Sequence, residues 1–79
     1  SWPGSWCLFL GRRLKIQRMS VIDRDGPPGK VLAITKSGVI ISTGSGAICL
    51  EQVKPEGKAT MSAMDWCNGY GVQEGAFFA

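Results

Sequence analysis

The chain has 79 residues, of which 44% are hydrophobic and 19% are charged. These proportions are typical of a folded domain and too apolar for a disordered segment, and the length suits one domain spanning residues 1–79. The formal net charge of +3 allows a basic surface if the acidic residues lie elsewhere. Histidine, the commonest general base and metal ligand, does not occur in the sequence. The composition therefore disfavours an enzyme active site or a metal site in this chain.

The cysteines give no sign of a disulfide framework or a zinc site. Cys7, Cys49 and Cys67 are odd in number and lack Cys-x-x-Cys spacing, so we expect reduced thiols in a cytoplasmic protein. No signal peptide is visible, and no apolar run approaches the roughly 18 residues of a membrane span. Because the sequence begins with serine rather than methionine, we expect an excised or processed chain.

Two apolar runs at the start of the chain predict a β-hairpin. Residues 5–10 and 13–22 are typical of strands, with a tight Gly-Arg connection between them. In the second run, Leu14 and Ile16 alternate with polar and charged residues, as in a strand with one buried face. Arg18 breaks this alternation because it falls on the apolar parity. We therefore expect a β-bulge or a strong bend near Arg18.

The middle of the chain consists of short β-branched runs separated by turns. The segment 23–29 is rich in Asp, Gly and Pro and predicts a surface loop. Further strands are predicted at residues 30–35, 39–42 and 47–54, and turns at 36–38, 43–46 and 55–58. Strands of this length joined by short turns indicate an antiparallel sheet.

A short helix is predicted near residues 62–68. Ser62 with Asp65 three positions later is a capping pattern that starts a helix, and Asn68 followed by Gly69 is typical of a helix end. Residues 76–78 are expected to add a last short strand or a lid. The predicted fold class is therefore mainly β: a small open Greek-key β-barrel, OB-like, of five to six strands with one short helix.

The basic residues at the start of the chain are the strongest candidates for a binding site. The positive residues alternate outward along the predicted second strand, and OB-like barrels often bind oligonucleotides on a strand face. Basic residues cluster on the hairpin and the second strand at Arg12, Arg13, Lys15, Arg18 and Arg24, and they are joined by Lys30, Lys36, Lys54 and Lys58. Contacts from such residues to a nucleic acid would go to phosphates, which position it without reading its sequence. The other interpretation is a solvated strand face whose charges discourage aggregation.

Several segments resemble one known family, in the order in which that family has them. The stretch 51–69 contains the motifs Lys-Pro-Glu-Gly-Lys and Met-Ser-Ala-Met-Asp-Trp, which resemble a turn and a helix start in the C-terminal domain of methionyl-tRNA formyltransferases. Segments similar to that domain's entry, second strand and next turn are Ser-Trp-Pro-Gly-Ser-Trp at 1–6, Leu-Lys-Ile-Gln-Arg at 14–18 and Pro-Gly-Lys-Val-Leu at 28–32. Gln17 stands where the family frequently has Trp, so a contact of that ring is not expected here.

The resemblance implies a non-catalytic accessory domain. In that family an N-terminal domain, absent from this chain, binds 10-formyltetrahydrofolate and transfers the formyl group, so no catalytic residue or cofactor is expected here. The C-terminal domain presents a basic surface that positions the tRNA for formylation of its methionyl group, and Lys15, Arg18 and Lys58 match basic positions of the family. With the resemblance, the residues that we expect to contact RNA are Arg12, Arg13, Lys15, Arg18 and Lys58. The implied partners are initiator methionyl-tRNA and the N-terminal catalytic domain, with no membrane contact.

Two other functions stay open. Similar domains belong to formyltransferases that act on sugars or folate-linked substrates, where the domain would be a structural or interdomain element without RNA. An orphan domain could instead bind a protein partner or self-associate. An exposed apolar patch of Trp2, Phe77 and Phe78 would favour that third interpretation, and a segregated basic face would favour RNA binding.

Overall fold

The computed structural model describes residues 6–9 and 12–77. The elements, in chain order, are β1 (Trp6–Phe9), β2 (Arg12–Ile22), β3 (Val31–Thr35), β4 (Gly38–Ser42), β5 (Ala47–Pro55), β6 (Met61–Ser62) and α1 (Ala63–Tyr70). The predicted strands from the second to the fifth are all present, and each differs from the prediction by one residue at one end. Arg12 pairs with Phe9, so it belongs to β2 rather than to the hairpin connection.

The strands form one antiparallel sheet in the order β1-β2-β5-β4-β3, and β6 pairs with β5 outside this order. Strands β3, β4 and β5 follow one another as neighbours, and β2 lies beside β5, which is the Greek-key arrangement. Strands β1 and β3 lie at the two edges, so the sheet is open and is not closed into a barrel. The predicted mainly β class with one short helix is confirmed.

Two bulges keep one face of β2 and β5 directed to the core. The register of β2 against β5 shifts on both sides of Arg18. Gln17 on β2 and Glu51 on β5 are each left out of the pairing, so the extra residue on one strand compensates for that on the other. Ile16 before the shift and Met19 after it consequently both pack in or against the core. The bulge predicted near Arg18 is confirmed, and without it this arginine would point inward.

The core lies between the inner face of the sheet and the helix. Most of its buried members come from the central strands and from α1, and these include Leu14, Ile16, Val39, Leu50, Val53, Ala63, Trp66 and Cys67. The Trp66 ring is buried, and its centroid lies 6.1 Å from that of Tyr70 one helical turn later. Because α1 covers the inner face, the outer face of β2 and β5 is left for solvent or a partner.

The helix begins where the capping pattern predicts. The Ser62 hydroxyl accepts a hydrogen bond from the Asp65 N–H at 3.0 Å, and Ser62 has an extended backbone. The two residues of β6 immediately before the helix pair with Gln52 and Val53 of β5, a pairing that the sequence pattern did not predict. This short pairing ties the start of α1 to the sheet, so the helix is docked at its first residue.

The helix ends later than predicted. It does not stop at Gly69 but continues to Tyr70, and Gly71 takes the left-handed conformation with φ of 70°. The N–H groups of Gly71 and Val72 both donate to the carbonyl of Cys67, which satisfies a carbonyl left open at the helix end. A glycine inside the last turn costs about 1 kcal/mol and does not by itself end a helix. With eight residues, α1 is also too short to span a membrane, and the described part of the chain contains no helix that could do so.

The predicted surface loop between β2 and β3 is confirmed, and it is anchored at its second half. The buried Ser42 hydroxyl donates to the Pro27 carbonyl, and the Ser42 N–H donates to the Lys30 carbonyl at 3.0 Å. Lys30 lies just before β3 and forms one isolated bridge with Phe77. That bridge replaces the last short strand expected at residues 76–78, of which Phe78 lies outside the described residues.

The chain after α1 runs along the outer edge of β3. The Val31 N–H donates to the Ala76 carbonyl at 2.7 Å, and the Gly75 N–H donates to the Val31 carbonyl at 2.8 Å. Farther along, the Glu74 carboxylate accepts a hydrogen bond from the Ile34 N–H at 3.1 Å. These bonds satisfy backbone groups that an edge strand otherwise leaves without partners.

Candidate nucleic-acid interface

The outer face of β2 and β5 gathers positive charge toward one end of the sheet. Lys15 on β2 lies directly opposite Lys54 on β5, so both side chains leave the sheet on the same face. Their neighbours along the strands, Leu14 and Val53, are buried on the inner face. Both lysines are partly exposed, as expected when the aliphatic stem lies on the sheet and the ammonium group reaches water.

Arg18 joins this outer face through the bulge. Its side chain is 70% exposed, and its Nε lies 3.1 Å from Oε1 of Glu51. Residues 15 and 18 are separated by about 10 Å along an extended strand. Glu51 is 28% exposed, and a surface ion pair with an exposed arginine contributes about 0–1 kcal/mol and can open at little cost. Arg18 is therefore available to an anionic partner that competes with Glu51.

The turn after β5 adds charges at the same end of the sheet. The Glu56 N–H donates to the Arg13 carbonyl at 3.1 Å, and the Lys58 N–H donates to the Pro55 carbonyl at 3.0 Å. The Arg13 guanidinium and the Glu56 carboxylate form a second ion pair, at 3.9 Å between two exposed groups. Backbone hydrogen bonds therefore hold Arg13 and the exposed Lys58 near the Lys15–Lys54 pair.

The structure brings together most of the residues that the sequence predicts to contact RNA. Arg13, Lys15 and Lys58 lie at one end of the β2–β5 pair, and Arg18 lies on the same outer face farther along β2. Arg12 is placed by its backbone, opposite Phe9, while its side chain is outside the described part of the structure.

Lys54 is the basic residue that the predicted site omitted. Its position opposite Lys15 depends on the pairing of β2 with β5, two strands that are far apart in the chain. No local sequence pattern predicts the register of that pairing. The sequence does contain one signal for the face on which Lys54 lies. Lys54 follows the apolar Val53, which is buried in the structure, and successive side chains of a strand point to opposite faces. Glu51 and Glu56, the counter-charges of the two arginines, were missed for the same reason.

The cysteines that the structure describes as free are poor nucleophiles. Burial raises the pKa of the Cys67 thiol from an ordinary 9.0 to about 11. The pKa of Cys49 is also raised, mainly by burial and then by the Glu51 carboxylate, against a smaller lowering by a hydrogen bond with Ser20. Both thiols are therefore protonated at neutral pH. Among the residues described, no three His, Cys, Asp or Glu side chains are grouped so that they could hold a metal ion.

Two large apolar side chains of the described residues are exposed. Val21 on β2 is 78% exposed, and Phe77 beside the start of β3 is 53% exposed. Of the apolar patch considered from the sequence, only Phe77 can be placed, because Trp2 and Phe78 lie outside the described residues.

Fold and surface together define a small Greek-key β domain with a basic cluster on its outer face. Residues 1–71 match the family described as "Formyl transferase, C-terminal domain", and the chain belongs to this family. The resemblance drawn from the turn and helix motifs is thereby confirmed.

Individual relatives agree with the family match. A methionyl-tRNA formyltransferase of Thermus thermophilus is 43% identical over 74 residues, which cover 94% of this chain and 24% of the relative. The corresponding protein of Deinococcus radiodurans is 37% identical over 78 residues, which cover 99% of this chain and 24% of the relative. That of Streptococcus uberis is 40% identical over 79 residues, which cover 98% of this chain and 25% of the relative. The chain thus spans about a quarter of the length of the curated relatives that it matches.

Proposed function

We propose that this chain is the accessory domain of a methionyl-tRNA formyltransferase and that its basic face holds the tRNA backbone. The observation that carries the proposal is the bulge at Gln17, which turns Arg18 to the same outer face as Arg13 and Lys15. Lysine and arginine on one strand face suit phosphate groups, which fix the orientation of a nucleic acid without reading its bases. The relatives are methionyl-tRNA formyltransferases, so tRNA is the nucleic acid to test first.

In this proposal the chemistry takes place in another part of the whole enzyme. An N-terminal domain would bind 10-formyltetrahydrofolate and transfer the formyl group to the methionyl-tRNA in the cytoplasm. The contribution of this chain is electrostatic binding and positioning. Because it offers only a handful of phosphate contacts, we expect a Kd of about 10⁻⁴–10⁻⁶ M that weakens steeply with salt.

The test is the fluorescence anisotropy of labelled initiator tRNA titrated with the chain at low and at physiological salt. Binding should weaken several-fold between the two salt concentrations. The double substitution Lys15→Glu with Arg18→Glu should weaken binding at low salt by more than about tenfold, because it puts two negative charges on the proposed phosphate-binding face.

A matched control variant distinguishes the effect of the basic face on binding from the effect of the net charge. Arg24→Glu with Lys36→Glu makes the same change in net charge, at a loop and a turn outside the face, and should keep the affinity within about threefold. Circular dichroism establishes that each variant is folded. Equal losses in both double variants would contradict a defined face and leave only a general attraction between opposite charges.

A second candidate function is an interdomain or self-association role without RNA. The exposed Phe77 beside β3 is the observation that favours it, because a half-exposed aromatic ring suits a protein partner. The same titration decides between the two candidates. If the folded chain does not bind tRNA even at low salt, the RNA proposal is wrong for this chain and the interdomain role is supported.

A further inference from the structure

The Lys15–Lys54 pair is unusual because two like charges lie directly opposite each other on neighbouring strands. Directly opposed residues of an antiparallel pair have Cβ atoms about 4.5–5.5 Å apart, and like charges in that position destabilise the sheet. The carboxylates near this end of the sheet are engaged elsewhere, since Glu51 pairs with Arg18 and Glu56 pairs with Arg13. Within the described residues, no carboxylate is recorded in an ion pair with either lysine.

The usual explanation for lysines on a sheet does not apply to Lys15. Lysines protect edge strands from pairing with other chains. Lys15 is on β2 and pairs with Trp6 of β1 on one side and with Lys54 of β5 on the other, whereas Lys54 lies one residue beyond the last β5–β6 pair, Val53–Met61. Lys15 therefore costs stability opposite Lys54 without guarding an edge.

We infer that Lys15 and Lys54 together bind a single phosphate of the RNA backbone, an inference that rests on the proposed tRNA-binding function and deepens it. A backbone phosphodiester carries two non-bridging oxygens that share one negative charge, and these oxygens accept charge-assisted hydrogen bonds of about 2.7–2.9 Å from ammonium groups. Two ammonium groups on adjacent stems can reach oxygens of the same phosphate, and the bound anion replaces their repulsion with two attractions. Arg13 and Arg18 flank the pair and would meet neighbouring phosphates after exchanging their carboxylate partners.

The experiment compares Lys15→Gln, Lys54→Gln and the double variant, with Arg24→Gln as a control that removes one positive charge from a loop beyond the other end of β2. The Kd for labelled tRNA is measured between about 50 and 200 mM salt, where the slope of log affinity against log salt is about 0.9 per neutralised phosphate. If one phosphate is shared, each single variant weakens binding about fivefold with little change in slope. The double variant then lowers the slope by about one.

Independent contacts give a different result. If each lysine binds its own phosphate, each single variant lowers the slope by about one and the double variant by about two. That outcome would overturn the shared site and leave the proposed function intact. A Lys54→Gln variant that binds with unchanged affinity and slope would also overturn it. An unsubstituted chain that does not bind at all contradicts the proposed function, and this inference with it.

Thermal unfolding without RNA is a second readout. Removing either lysine relieves the repulsion, so each single variant should melt about 1–5 °C higher than the unsubstituted chain, while Arg24→Gln should not. A lower or unchanged melting temperature in both variants would show that the two lysines do not destabilise the sheet and would overturn the inference.

A last experiment compares the stabilisation of the chain by millimolar inorganic phosphate with its stabilisation by tRNA. Stabilisation by free phosphate equal to that by tRNA would show a general anion site and overturn the assignment to RNA.

Discussion

Burial of its side chain sets the pKa of the Cys67 thiol. The thiol lies on the buried side of α1, where the helix packs on the sheet. Removal from water disfavours the thiolate and raises the pKa to about 11. A cysteine in this position behaves as a small apolar core residue. Its titration nevertheless couples the stability of the domain to pH.

We predict that the domain loses stability between about pH 9 and pH 11. In the unfolded chain the Cys67 thiol loses its proton near its ordinary pKa of 9.0, whereas in the folded state it keeps the proton until about pH 11. The stabilising contribution is therefore complete below pH 9 and is lost as the pH rises, by up to about 2–3 kcal/mol. Denaturant unfolding at several pH values, compared with Cys67→Ala, isolates this contribution from those of the other groups in the chain. A variant with the same pH dependence as the unsubstituted chain would contradict the prediction.

At the scale of the element, α1 is stabilised mainly by its ends and its buried side. The helix has only eight residues, too few to be stable in isolation. Its start is capped by Ser62, its end is closed by the left-handed Gly71, and Trp66 packs into the core. The cap at the start, the closure at the end and the packing of Trp66 together stabilise a helix that is too short to be stable in isolation.

We predict that Ser62→Ala destabilises the domain by about 1 kcal/mol. The hydroxyl satisfies the Asp65 N–H, and removing it leaves one of the helix's first N–H groups without its cap. Urea or thermal unfolding measures the loss, and Ser45→Ala in the exposed turn before β5 is the control. A loss as small as that of the control would mean that water caps the helix equally well.

At the scale of the whole molecule, the elements could be predicted from the sequence better than their arrangement. Alternation identified the strands, turn residues identified their connections, and the serine-aspartate spacing identified the helix start, because each signal is local. The register of β2 against β5 is not local, so the opposition of Lys15 and Lys54 could not be predicted. The parity of Arg18 did predict a bulge, but not the compensating extra residue at Glu51 on the partner strand.

The balance of charges on the outer face leads to a prediction about the whole surface. Glu51→Gln should tighten tRNA binding by about two- to fivefold, because it frees Arg18 and removes a negative charge from the basic face. Anisotropy titrations at low salt measure the change. Asp23→Asn removes the same charge from the exposed loop after β2 and should have a smaller effect. Weaker binding by Glu51→Gln would mean that Glu51 is needed to orient Arg18 rather than competing with the RNA.

The segment that runs along β3 limits the addition of another strand at this edge of the sheet. A strand arriving at this edge, from another copy or from a partner, would first have to displace the Ala76 carbonyl, the Gly75 N–H and the Glu74 carboxylate from their bonds. These groups lie beyond residue 71, where the match to the family ends. Residues 74–76 therefore occupy backbone groups of β3 through which another strand would have to pair, and this occupation hinders strand addition at this edge.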